Sequence, residues 1–173
     1  MVRLDEALAA VSEALETVLQ VAVPRLGAPH VVLGNPAEAS AKHGESSQGR
    51  FLVTLTGLRA AAERRALPPH EAAGGGHRPA TALEADLLLT ADFPGQYLKG
   101  IRMMAAALDW AHDQPVLTVG YAPGAPDAGQ FTVELVDPGF EAASALVGMA
   151  GVKGCPFALL RLRGLSAGAR ANG

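Results

Sequence analysis

The segment from Ala80 to Thr90 constrains the fold more than any other part of the sequence. Apolar residues stand at alternate positions from Leu83 to Leu89, and the carboxylates Glu84 and Asp86 occupy the positions between them. Successive side chains of a strand point to opposite faces of a sheet. The segment therefore predicts a strand with one apolar face, which another layer must cover, and one charged face.

Two other segments have the spacing of amphipathic helices, and they supply such a layer. They run from Leu4 to Gln20 and from Tyr97 to His112. A third helix is predicted from Phe140 to Gly151, because Pro138 precedes it at a position where proline favours a helix start. In the second, one apolar stripe is predicted to face the core; its members are Tyr97, Ile101, Met104, Leu108 and Ala111, widened by Leu98 and Ala105.

The remaining strand signals complete an α-β-β-β-α-β-β-α-β order. Short loops between consecutive strands favour antiparallel pairing, and the two later helices allow one or two crossovers. We expect an α+β, or mixed α/β, fold: a single sheet of about five to six strands with an N-terminal helix and two further helices packed on it. The further predicted strands are His30–Leu33, Phe51–Leu58, Val116–Tyr121, Gln130–Val136 and Phe157–Leu165.

The chain length of 173 residues fits one domain spanning residues 1–173. Segments 35–50 and 68–79 are predicted to be flexible loops, and residues 166–173 a frayed tail. The run from Arg59 to Arg65 fits either a strand end or a helical turn.

Composition narrows the classes of function. The net charge is −3 and the pI about 5.9, which disfavours a general nucleic-acid binder. A single cysteine allows no disulfide within the chain. No secretory signal and no run of 18 apolar residues is evident, so we expect synthesis in the cytoplasm and no membrane span.

Candidate chemical sites are few. His70, Glu71 and His77 surround the glycine run 74–76, and they fit a surface loop better than a metal site, because nothing fixes their positions. The glycine run lacks the Gly-Lys-Ser/Thr ending of a phosphate-binding loop. Cys155 beside His112 would be a thiol–imidazole pair, but a buried structural thiol is the commoner arrangement.

Other polar residues have both a functional and a structural interpretation. Glu84 and Asp86 could act as paired carboxylates, but a solvated or intersubunit face is far commoner. Trp110 fits packing better than ligand stacking, and His112 fits a helix-end cation. Five arginines could pair with carboxylates of another subunit, or they could line a solvated edge; they are Arg59, Arg64, Arg65, Arg161 and Arg163.

Taken in order, four stretches resemble the cap proteins of extracellular contractile injection systems, which act like phage tail terminators. The first stretch is the helix that begins at Leu4, and the second is the strand from Phe51 that leads into the arginine run. The third begins with the strand at Leu83, continues through the helix that starts at Tyr97, and ends at Gln114-Pro115-Val116-Leu117. The fourth is the ending from Leu146 to Leu165. Each motif is common, but their order and spacing together make the resemblance more specific.

The resemblance implies a structural protein rather than an enzyme, without cofactor or metal. Such caps form a sixfold ring that terminates the inner tube and anchors the last sheath ring of the injection machine. The implied partners are further copies of the chain, the tube protein and the sheath protein, with no nucleic acid and no direct membrane contact. The implied setting is a bacterial cytoplasm, with assembly into a particle that can be released.

Two alternatives stay open at the level of sequence. The chain could be a related but different assembly part, such as another tail-completion or baseplate subunit. It could also be a small ligand-binding or enzymatic α/β domain, which would need a pocket with convergent polar groups.

Overall fold

The computed structural model describes residues 1–23, 31–34, 49–61, 81–120, 129–150 and 154–166. Within them the chain forms three helices and seven strands. The helices are α1 (Leu4–Ala22), α2 (Tyr97–Asp113) and α3 (Gly139–Ala150). The strands are β1 (Val2–Arg3), β2 (Val31–Leu33), β3 (Arg50–Ala60), β4 (Ala82–Asp92), β5 (Val116–Val119), β6 (Gly129–Val136) and β7 (Phe157–Ser166).

The strands build one mixed sheet in the order β2-β3-β4-β7-β6-β5. The contacts β3–β4, β4–β7, β7–β6 and β6–β5 are antiparallel. Antiparallel pairing was expected for consecutive strands such as β5 and β6, whereas β4 and β7 are remote from each other in the chain. Two pairs are parallel: β2 beside β3, and β1 beside β7. The expected α+β class is confirmed, and the two-residue strand β1, too short for a periodicity signal, was missed from the sequence.

Helix α1 holds the two ends of the sheet together. It contacts both β2 and β5, the terminal strands of the sheet order, so the sheet curls around the helix. Its inward positions Ala7, Val11, Leu15 and Leu19 are fully buried. On the β2 side, the backbone N–H of Val31 donates to Glu16 Oε2 at 2.8 Å. The N-terminal helix is thus part of the core rather than an appendage.

The buried stripe of α2 differs from the predicted one. Met104 and Ala111 are buried as expected, but Tyr97 and Ile101 are exposed. The remaining buried positions of α2 are Gly100, Met103, Ala107 and Trp110. A β-carbon on Gly100 would lie 3.3 Å from the carbonyl oxygen of Ala91, so glycine lets α2 approach the end of β4 closely.

The core lies between the sheet and helices α1 and α2. On β4 the predicted apolar face is confirmed, with Ala85, Leu87 and Leu89 fully buried beneath the helices. No described residue of α3 belongs to this core, and none of its described side chains is buried. Within the described part of the chain no helix is long and apolar enough to cross a membrane.

The predicted loops fall mainly in segments 35–48 and 62–80, and the predicted tail in 167–173; these lie outside the described residues. Of the run from Arg59 to Arg65, the structure assigns Arg59 and Ala60 to the end of β3.

Candidate interaction face

The face of the sheet opposite α1 and α2 carries a compact set of ionised side chains. We call this set the charged face; its members are Arg59 on β3, Glu84 and Asp86 on β4, Arg161 and Arg163 on β7, and Glu134 on β6. The strand registers create it. Arg59 and Arg163 both lie opposite Glu84, Arg161 lies opposite Asp86, and Glu134 lies opposite Arg161. Side chains directly opposite each other on neighbouring strands are close enough to interact.

Asp86 is the centre of the charged face. Its Oδ1 accepts a hydrogen bond of 2.9 Å from Arg161 Nε, and its Oδ2 accepts one from Arg59 Nη2. The hydrogen bond with Asp86 raises the pKa of Arg161 above its usual value, with smaller contributions from the charges of Asp86, Glu84 and Glu134. Asp86 thereby links three neighbouring strands through charge-assisted hydrogen bonds.

The rest of the charged face is looser. Arg163 Nε lies 3.7 Å from Glu84 Oε1, and Arg163 Nη2 lies 3.2 Å from Glu134 Oε2. Arg59 Nε lies 3.5 Å from the other oxygen of Glu84. The three cations of the charged face balance its three anions, so this face presents alternating charge rather than a field of one sign.

Exposure divides the arginines into two kinds. The Arg161 side chain is 22% exposed, whereas the Arg59 and Arg163 side chains are 44% and 46% exposed. Arginine has five N–H donors, and one or two contacts leave several of them unused. Arg59 and Arg163 can therefore keep their intrachain pairs and still bind a further carboxylate or carbonyl oxygen.

The charged face includes three of the five arginines singled out from the sequence. The structure brings Arg59, Arg161 and Arg163 together, while Arg64 and Arg65 lie outside the described residues. Glu84 and Asp86 share one face, as the alternation on β4 predicted. Sequence reasoning missed Glu134, although its place between the apolar residues Val133 and Leu135 marked a polar position on β6.

The candidate cysteine site does not form. Cys155 lies beside the end of β4, where its Sγ is 3.6 Å from Asp92 Oδ1. Burial, followed by the charge of Asp92 and this hydrogen bond, raises the pKa of the thiol to about 11. His112 lies in the last turn of α2, which runs back from that end of β4. A thiol held in the neutral form is a poor nucleophile.

The other candidates give no chemical constellation. Trp110 is buried, and its indole N–H has no hydrogen-bond partner in the described part of the chain, which agrees with a packing role. His70, Glu71, His77 and the glycine run lie outside the described residues. Among the residues that are described, no group of three His, Cys, Asp or Glu side chains could hold a metal ion.

Comparison with known proteins relates the chain to a protein family. The family model of the Pvc16 N-terminal domain matches residues 10–171. No curated protein gives a significant match to the chain.

Two solved structures share the fold. One is the sheath/tube terminator of an extracellular contractile injection system, PVC, in its extended state; it has a TM-score of 0.54 and 10% identity, and the match covers 94% of this chain and 57% of that one. The other is the tube-terminating cap of the anti-feeding prophage, with a TM-score of 0.54 and 11% identity, covering 92% of this chain and 55% of that one. The chain thus spans little more than half the length of these two proteins.

Proposed function

Because the chain belongs to the Pvc16 N-terminal domain family, we propose that it is a structural cap: a non-enzymatic subunit that terminates the inner tube and anchors the last sheath ring of a contractile phage-tail-like injection system. The observation that carries the proposal is the family match over most of the chain. It is supported by the common fold of this chain and two proteins that are themselves described as terminators. A tube can be ended only by a subunit that binds its last ring and offers no surface for the next.

We further propose that the chain acts as a closed ring of identical copies, six in number, assembled in a bacterial cytoplasm onto a particle that can later be released. In a closed ring each copy uses two different surfaces, one for each neighbour, and a rotation relates each copy to the next. The proposed partners besides the chain itself are the tube protein and the sheath protein.

The edge of the sheet offers one surface for the sheath. In the described part of the chain, β5 pairs with β6 on one side and has no strand on the other. Val116 and Thr118 of β5 are exposed. An unpaired strand edge accepts an extended segment through main-chain hydrogen bonds. A terminal strand of a sheath subunit could join the sheet here.

The charged face offers a second surface. The exposed guanidinium groups of Arg59 and Arg163 have donors to spare, and they stand beside carboxylates that hold them in position. An arginine that is already oriented loses less conformational entropy on binding. The arginines of the charged face are therefore the proposed contacts to neighbouring proteins.

The function is tested by reconstitution with the tube protein and the sheath protein of the same gene cluster. In electron micrographs we expect the protein at one end of each tube, and tubes that stop growing when it is present. Arg163→Glu should reduce binding to sheath, whereas Arg3→Glu, which reverses another exposed arginine in a carboxylate pair, should not. Tubes that grow unchanged beside an excess of the protein would refute the cap role.

A further inference from the structure

The start of α2 carries large apolar side chains that the fold leaves uncovered. Tyr97, Leu98 and Ile101 are 58%, 71% and 41% exposed. They lie within five residues on one side of the helix, beside the exposed Arg102 and beside Lys99, whose Nζ lies 5.2 Å from the centre of the Phe93 ring. Contiguous exposed apolar groups rimmed by charge mark interaction sites. We call this set the α2 patch.

The opposite end of the helical layer is acidic. Glu6 at the start of α1 and Asp109 and Asp113 at the end of α2 are all exposed, and none forms an ion pair within the described part of the chain. Arg3, which is paired with Asp5, and the imidazole of His112 lie in the same region. We call Glu6, Asp109 and Asp113 the acidic end.

The two surfaces lie toward opposite ends of the helical layer. Val2, two residues before α1, pairs with Leu165, which also pairs with Leu83 at the start of β4. Helix α2 begins after the end of β4, and Gly100 lies against Ala91 there. Along the 17 residues of α2, Asp109 lies about 12–18 Å from the α2 patch and Asp113 about 18–24 Å.

The two helices run in opposite directions between these ends. The later part of α1 is fixed by the bond between Glu16 and Val31; Val31 pairs with Phe51, which pairs with Ala91. The start of α1 and the end of α2 consequently share the acidic end. Arg102 makes no ion pair within the described residues, so its charge is available to a partner.

From these observations we propose that the α2 patch binds the acidic end of a second copy of this chain. The inference rests on the proposed ring and names the surfaces that build it. Leu98 and Tyr97 supply the apolar contact, and Arg102 faces Asp109 or Asp113 of the neighbour. The surfaces are different and opposite in charge, and within the described residues Arg102 makes no ion pair with the carboxylates of its own helix. When each copy binds one neighbour through its patch and another through its acidic end, the contact is head-to-tail, and it closes into a ring when the rotation permits.

The test measures the concentration at which half of the chain is assembled, for the wild type and for each variant, by sedimentation velocity and native mass spectrometry. Leu98→Asp places an unpaired charge in the contact and should raise the half-assembly concentration at least about tenfold. Arg102→Glu should do the same, and adding Asp109→Arg should restore most of the loss. The matched control is Leu58→Asp, which changes an exposed leucine of β3 outside both surfaces in the same way. Thermal melting of every variant checks that the fold is intact.

The outcomes separate this inference from the proposed function. The inference is supported if the wild type and the control form rings, the two single variants lose them, and the double variant regains them. Rings that form equally well with Leu98→Asp would overturn it and leave the cap role standing. If Leu98→Asp forms intact rings that no longer bind tube ends, the inference is also overturned, because the patch would then bind the tube protein. A wild-type chain that stays monomeric beside tube ends would overturn the ring and the inference together.

Discussion

Two neighbouring arginines of β7 should contribute unequally to stability. Arg161 donates a 2.9 Å hydrogen bond to Asp86 and is 22% exposed, whereas the nearest contact of Arg163 is 3.2 Å and its side chain is 46% exposed. Hydrogen bonds to charged groups contribute about 1.5–3 kcal/mol when shielded, and exposed ion pairs about 0.2–1 kcal/mol. Allowing for partial exposure, we expect Arg161→Gln to cost about 1–2 kcal/mol and Arg163→Gln at most about 0.5 kcal/mol.

The assay is urea unfolding of both variants and the wild type, followed by circular dichroism. Glutamine is polar and uncharged, and the same substitution at both positions isolates the difference between the two ionised contacts. A loss of about 1–2 kcal/mol corresponds to a fall in Tm of about 3–6 °C for a chain of this size. Raising the salt concentration should shrink the effect of Arg163→Gln more, because the exposed pair is better screened.

Equal losses for the two variants would refute the reasoning. They would show that distance and exposure on this face do not rank the ion pairs, and that Arg163 stabilises the fold as much as Arg161 does. The proposal that Arg163 contacts a neighbouring protein would then lose its physical basis.

Three further predictions concern the core, a bulge and the thiol. Leu160→Ala, at a fully buried position on β7, should cost about 2–5 kcal/mol by urea unfolding. Gly164→Ala should cost about 1–2 kcal/mol, because Gly164 has φ +87° where the β4–β7 register shifts. Cys155 should react slowly with iodoacetamide at pH 8 and faster as the pH approaches 11, while the urea-unfolded chain reacts readily. Since the fold favours the neutral thiol, its contribution to stability should be full below pH 9 and fall as the pH rises toward 11.

The alternating strands could be predicted because a period of two leaves a clear pattern. Glu84 and Asp86 on β4, and Arg161 and Arg163 on β7, each share one face by this alternation alone. That these two pairs meet depends on the register between strands about 75 residues apart in the chain. No local pattern encodes that register, so the charged face itself could not be predicted.

The orientation of α2 was predicted wrongly for an identifiable reason. Two apolar stripes overlap on this helix, one through Tyr97 and Ile101 and the other through Met103 and Trp110. Hydropathy favours the first stripe, because Gly100 lies in the second stripe and adds no apolar side chain to it. Packing favours the second, because the missing β-carbon of Gly100 lets the helix reach Ala91. A contact that depends on the absence of an atom gives no hydrophobic signal in sequence.

The orientation of α2 also determines where the chain has surface to offer. Turning α2 toward Ala91 buries Trp110 and leaves Leu98 and Tyr97 exposed to water, where the proposed contact between copies would cover them. The charged face cannot supply the main attraction between copies, since its three cations and three anions already balance within the chain. In the proposed ring, apolar contact at α2 would therefore supply the free energy of association between copies, and the charged face would give orientation and specificity to the proposed contacts with other proteins.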